Sequence, residues 1–231
     1  MTGRPVESVL CWDIDGTLLT TGRAGIGAWE QAVLETTGSE LRLAEFRTAG
    51  LTDVEIARLL AGQVEASPRP ELVEEIVSRY EAWLPIRLHD RRGQVLPGVL
   101  EILTWNHERK AFPSLLLTGN TAGGAAAKLN HYGLDAFFDV GAFASFVNPD
   151  RVSIAREAAR LARELVGTDL SPARLVVIGD TPHDVACGKA VGARTLAVAT
   201  GTYTVAELEA TSPWRVLPGL PDPEGFAKLV E

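Results

Sequence analysis

Cysteine is nearly missing from this chain of 231 residues. Cys11 and Cys187 are the only two, far apart and outside any metal-ligand spacing, which excludes a disulfide framework or a thiolate zinc site and leaves two buried apolar thiols as the expectation. No apolar run reaches the length of a membrane span, and the opening MTGRPVESVL has neither the apolar core nor the cleavage site of a secretory signal. No membrane partner and a cytoplasmic location are therefore expected. Basic clusters are missing as well. The formal charge is −8, from 30 acidic and 22 basic residues, and the bases are scattered singly, so a nucleic-acid partner is not expected. Lysine is scarce: Lys110, Lys128, Lys189 and Lys228 are the only ones, the other basic residues being arginine.

What is present is an ordinary globular composition, 46% hydrophobic and 23% charged, long enough for one domain with a substantial insertion or for two modest domains. Short apolar runs at 8–12, 114–117, 137–140, 175–178 and 195–199 have the length and continuity of buried parallel strands. Helical spacing fills 121–131, 153–166 and 182–191, so strand and helix alternate from about residue 113 onward. The fold class expected is α/β, a Rossmann-like parallel sheet with covering helices. The alternation fails between the first strand and about residue 94. There Ile26, Trp29 and Val33, then Ile56, Leu59 and Leu60, then Leu72, Val73, Ile76, Val77, Tyr80 and Leu84 fall at helical spacing. This predicts an all-helical insertion over 21–93, leaving 1–20 and 94–231 as the sheet domain.

In an open parallel sheet, ligands bind beyond the carboxyl ends of the strands. The first strand runs into Asp13-Ile14-Asp15-Gly16-Thr17, the 114–117 strand into Thr118-Gly119-Asn120, and the 175–178 strand into Gly179-Asp180-Thr181-Pro182-His183-Asp184. Asp13 and Asp15 are two apart on extended chain and so share a side. Crowded carboxylates call for a neutralising group, and Mg2+ is the simplest, with Asp180 or Asp184 supplying a further oxygen. Thr118, Gly119 and Asn120 stand just before a helix, where a hydroxyl, backbone N–H groups and the helix dipole can receive a phosphate.

These motifs resemble those of the haloacid dehalogenase-like hydrolases, and within them the phosphoglycolate phosphatase-like members with a helical cap. The resemblance rests on Asp13-Ile14-Asp15-Gly16-Thr17-Leu18, on Thr118-Gly119-Asn120, and on Gly179-Asp180-Thr181-Pro182-His183-Asp184 followed by Ala190-Val191-Gly192-Ala193. It implies that Asp13 is a nucleophile forming an aspartyl-phosphate and that Asp15 is the general acid and base. It also implies Mg2+ held by Asp13, the backbone carbonyl of Asp15, and Asp180, with Asp184 close by through water. Gly16, Thr17, Gly119 and Asn120 would then surround the substrate, and Thr118 would hold a phosphate oxygen. The family usually carries a lysine ahead of the helix that precedes the last motif. No lysine lies between 128 and 189, and Arg151 takes that place, preferred over Lys128 and Lys189, which fall inside predicted helices. Arginine keeps the charge and adds a planar fork suited to phosphate.

The implied reaction is hydrolysis of a small phosphate ester, with phosphoglycolate the substrate that the resemblance offers. A sugar phosphomutase and a catalytically silent phospho-ligand-binding protein are the alternatives. A dehalogenase is disfavoured by Asp15, and a phosphoryl-accepting signalling receiver by the helical insertion. Thr20-Thr21-Gly22 resembles a hinge into the cap, and Gly50-Leu51-Thr52-Asp53 a cap loop that approaches the site. Thr52 with Glu55 also reads as a helix capping box. Arg23 and Arg47 are candidate contacts to an anionic leaving group, and His183 is expected to line the site or face solvent.

Overall fold

The computed structural model describes residues 8–46 and 48–231. Arg47 and residues 1–7 of the opening MTGRPVESVL lie outside the described residues. The chain opens with β1 (Val9–Trp12), followed by the short β2 (Leu19–Thr20) and three helices, α1 (Ala24–Thr37), α2 (Asp53–Val64) and α3 (Pro70–His89). It returns through β3 (Gln94–Val95) to α4 (Val99–Arg109), β4 (Ser114–Thr121) and α5 (Ala122–Tyr132). Next come β5 (Gly141–Ala144), α6 (Arg151–Val166), β6 (Leu175–Gly179), α7 (Pro182–Val191) and β7 (Arg194–Val198). The chain ends with α8 (Val205–Ala210), β8 (Arg215–Leu217) and α9 (Pro223–Val230).

Six strands form one parallel sheet in the order β5-β4-β1-β6-β7-β8. The central β1 is buried along its length and serves both faces. Leu10 and Trp12 enter one core with Ile102, Leu129, Ile178 and Phe226, while Val9 and Cys11 enter the other with Ile154, Ala158, Val177 and Cys187. Alternation of side chains along an extended strand, with helices on both sides, requires this continuous apolar run. The fold is the α/β Rossmann-like sheet expected. None of the described helices is long and apolar enough to cross a membrane.

One strand lies elsewhere than expected. The run 137–140 is not a strand: a 3-10 turn covers Asp135–Phe137, and β5 follows at Gly141–Ala144. Phe137 and Phe138 pack against the core from this turn. The edge strand uses small residues instead, Gly141 and Ala142 pairing with Leu116 and Leu117. Bulk marked the packing, and backbone pairing fell to its smaller neighbours. The helix expected from 153 starts at Arg151, with Asp150 as its N-cap accepting from the backbone N–H groups of Val152 and Ser153, both at 2.9 Å.

Between β1 and α4 the chain makes a two-stranded antiparallel stem, Leu19 opposite Val95 and Thr20 opposite Gln94. Above it α1, α2 and α3 enclose an apolar cluster of their own, centred on Trp29, Val33, Leu60, Ile76, Tyr80 and Leu84. Leu59, which shares their helical spacing, is instead half exposed. The two connections cross at close range beside the stem. Gly22 has φ +57, and a Cβ there would lie 2.7 Å from the carbonyl oxygen of Arg92, so the crossing has room for glycine only.

Candidate active site

Asp13 follows β1 directly, its N–H bonded to the Ile178 carbonyl at 2.9 Å, and is almost wholly buried. Asp180 sits at the end of the neighbouring β6, and Asp184 one turn into α7. Carboxylate oxygens of Asp13, Asp180 and Asp184 all lie within 4.8 Å of one another. Asp184 is held as the third helical residue of a capping box, accepting from the Thr181 N–H at 2.9 Å and the Thr181 hydroxyl at 2.7 Å. The hydroxyl of Thr17 donates to Asp180 at 3.2 Å. Gly16, at φ +81, lies so close to Asp180 that any Cβ would collide with its carboxylate. That close approach explains the glycine.

The electrostatics of this triad are demanding. Burial, then the charge of Asp184, push the Asp13 carboxyl up to about 7, against the pull of Arg151. Burial and the charges of Asp184 and Asp13 push Asp180 up to about 9. Three buried carboxylates with hard oxygen donors fit a divalent cation such as Mg2+, which binds through few carboxylates and keeps its remaining positions for water and phosphate. Among the described residues the one protein cation in contact with the triad is Arg151, 3.7 Å from Asp13 and 3.3 Å from Asp184. Burial works against its charge, but Asp184 and Asp13 outweigh it and the guanidinium is held firmly protonated. Its Nε donates to the Gly50 carbonyl at 3.1 Å, tying it to the loop before α2.

Asp15 turns away from the triad. One of its oxygens, Oδ2, accepts from the Asn120 amide at 2.8 Å and from the Lys128 ammonium at 2.6 Å. Lys128 also donates to the Asn120 side-chain oxygen. Nearly half of the Asp15 side chain stays exposed in the cleft. Thr118 is fully buried beneath this group, its hydroxyl accepting from the Asn120 amide at 2.7 Å, while Gly119 and Asn120 themselves line the cleft. His183 packs on Gly50 rather than projecting into the cleft.

Two site residues were not singled out from sequence. Lys128 reads from the sequence as an ordinary helix-interior lysine, yet it falls on the buried face of α5 with Gly124, Ala125 and Leu129. That spacing was the available signal. Asp53 is the second. Thr52 caps α2 in a capping box with Glu55 as its spacing predicts, and its hydroxyl also donates to the Pro149 carbonyl at 2.8 Å. This delivers Asp53 into the interface, where it accepts from the Thr121 N–H at 2.8 Å. Burial raises Asp53 to about 6, with Lys128 and the Thr121 N–H pulling it down. No local pattern announces a carboxylate whose partner is 68 residues away.

The family model for haloacid dehalogenase-like hydrolases matches residues 10–189, which takes in all of the strand-end motifs. The chain belongs to that family, a class of enzymes that act on their substrates by hydrolysis. Among curated relatives, the "Probable phosphatase IndB" of Dickeya dadantii is 28% identical over 214 residues, covering 90% of this chain and 88% of the relative. Among solved structures, CbbY from Rhodobacter sphaeroides in complex with phosphate superposes with a TM-score of 0.73 at 18% identity, covering 97% of this chain and 96% of that one. A predicted phosphoglycolate phosphatase from Haemophilus somnus superposes with a TM-score of 0.71 at 13% identity, covering 99% and 100%. At these identities the superpositions speak for the fold.

Proposed function

We propose that the chain is a magnesium-dependent phosphatase that hydrolyses a small phosphomonoester in two displacements on Asp13. The observation that carries the reading is the single strand edge on which Asp13 meets Arg151, Asp180 and Asp184 while Asp15, two residues on, faces the cleft. The Asp13 carboxylate attacks phosphorus, forming an aspartyl-phosphate and releasing the alcohol. Asp15 gives its proton to the leaving oxygen and then takes one from the water that attacks the intermediate. Lys128 and Asn120 grip one Asp15 oxygen, which leaves the other for this exchange. Arg151 and the backbone of Gly119 and Asn120 hold the phosphate oxygens in place, and Thr118, buried beneath them, braces Asn120. Asp13, the backbone carbonyl of Asp15, and Asp180, with Asp184 beside them, would hold Mg2+. When bound, the ion offsets the carboxylate charge and stabilises charge developing on the phosphoryl group. In this reading 21–93 is a cap closing over the site in 1–20 and 94–231, the Gly50–Asp53 loop being its contact with the chemistry.

The test is phosphate release from a panel of phosphomonoesters, including phosphoglycolate and sugar phosphates, with Mg2+ and with a chelator. Mg2+-dependent release is expected. A rearranged phosphate ester in place of free phosphate would turn the reading to a mutase, and no reaction in a folded, Mg2+-loaded protein would overturn it in favour of a silent binding protein.

A further inference from the structure

The cleft as a whole, from Asp13, Asp180 and Arg151 at the catalytic edge to the helices opposite, encloses about 860 Å3, within the range of about 300–1,000 Å3 found for pockets that enclose drug-sized molecules. A two-carbon acid would leave most of it unfilled. The wall facing the catalytic edge comes from the three helices and their loops. Ile26, Phe46 and Leu51 are half-buried there. Behind them Trp29 and Tyr80 stack in parallel, with ring centroids 3.7 Å apart and planes within 3°. Both rings are buried and also border the cavity.

The charges around this half do not favour a second anion. Lys128 is already held by Asp15 at 2.6 Å and by Asn120, and Arg151 by Asp13 and Asp184. Asp53 and Glu207 add negative charge to the lining. Among the described lining residues that leaves Arg23 as the cation without a carboxylate partner. It is exposed, and its guanidinium donates to the Ala44 carbonyl.

We propose that the preferred substrate is a phosphomonoester of an uncharged alcohol carrying an apolar or aromatic body, seated against Ile26, Phe46 and Leu51. Small anionic alcohols such as glycolate, and sugars bearing a second phosphate, are correspondingly disfavoured. Among the described residues, an anionic leaving group would shed water beside Asp53 and Glu207 with the one exposed guanidinium of Arg23 in return, whereas an apolar body gains from leaving water. This inference rests on the phosphatase reading above and narrows it.

The experiment compares kcat/KM for Mg2+-dependent phosphate release by the full chain from 2-phenylethyl phosphate, ethyl phosphate and phosphoglycolate. The first two are primary alkyl esters differing mainly in the apolar body. A preference of about tenfold or more for the phenylethyl over the ethyl ester is expected, the scale of apolar discrimination in enzyme pockets, with phosphoglycolate last. Phe46→Ser and Leu51→Ser should each narrow the phenylethyl-to-ethyl ratio, chiefly through KM, in protein whose circular dichroism matches the parent. Phosphoglycolate turned over best, with that preference erased in Arg23→Gln, would overturn the inference and leave the phosphatase reading standing. So would equal rates for the phenylethyl and ethyl esters. Release from none of the three, or from any other ester tried, would overturn both.

Discussion

The strand-end half of the cleft and the helical half are built from opposite materials. At the sheet edge Asp13, Asp180 and Asp184 crowd their oxygens within 4.8 Å, with Arg151 against them and a glycine pressed onto Asp180. Across the cleft stand Ile26, Phe46 and Leu51, backed by a buried aromatic stack. The first half depends on residue type, because the proposed roles of phosphorus-attacking carboxylate, cation site and phosphate clamp each admit few side chains. The second depends on shape and wettability, which many apolar combinations supply. Asp53 and the Gly50 carbonyl join the halves, one bonded to the Thr121 N–H and the other to Arg151.

The sharpest way to break this contrast is Asp13→Asn, which removes the proposed nucleophile at nearly constant volume. Turnover should fall by about 10⁴-fold or more while the melting temperature holds or rises, since a crowded buried charge is gone. Activity surviving in folded protein would end the assignment of chemistry to the sheet edge. Next come the two buried cations. Arg151→Ala should lower kcat by about 10²–10³-fold, the scale of removing one charge-stabilising donor, and Lys128→Met by about 10²-fold through a misplaced Asp15. An unchanged rate in either variant would assign that cation to structure alone, and steady-state kinetics on both decides it.

The smallest effect belongs to the junction. Burial raises Asp53 from its ordinary 3.8 to about 6, so the folded state binds the proton more tightly than the unfolded chain does. The stability this contributes is complete below about pH 4 and is lost as pH rises through about 6, an effect on the order of 1–3 kcal/mol. Asp53→Asn keeps an acceptor for the Thr121 N–H and removes the titration, so denaturation curves from pH 4 to 7 should lose that part of their slope. An unaltered slope would show that Asp53 does not titrate in this window.

Legibility followed the same division. Asp13 and Asp180 stand directly after apolar runs that form strands, so a strand-end position is legible for each; Thr118 reads the same way, but β4 runs on to Thr121 and holds it inside the strand. Arg151 was found as the cation missing from a pattern, though its place is inside α6 rather than ahead of it. The run 137–140 misled because bulky residues beside an edge strand signal packing as strongly as pairing. Lys128 is not legible from spacing alone, because a buried lysine looks like any helical lysine until its partners, Asp15 and Asn120, are in view. Asp53 reads only as part of the Gly50–Asp53 loop that approaches the site, since a capping box explains its neighbours Thr52 and Glu55 completely.

By itself the sequence determined the sheet, the helical stretch between its first two long strands, and the residues gathered at the strand ends, because periodicity and strand-end position are local properties of the chain. Only the tertiary structure decided that Asp15 is gripped by Lys128 and Asn120 rather than joining the triad, and that Ile26, Phe46 and Leu51 come together on the far wall of the cleft. Those depend on contacts between segments tens to more than a hundred residues apart, whose distances are set by how the helices pack over the sheet and by no spacing along the chain.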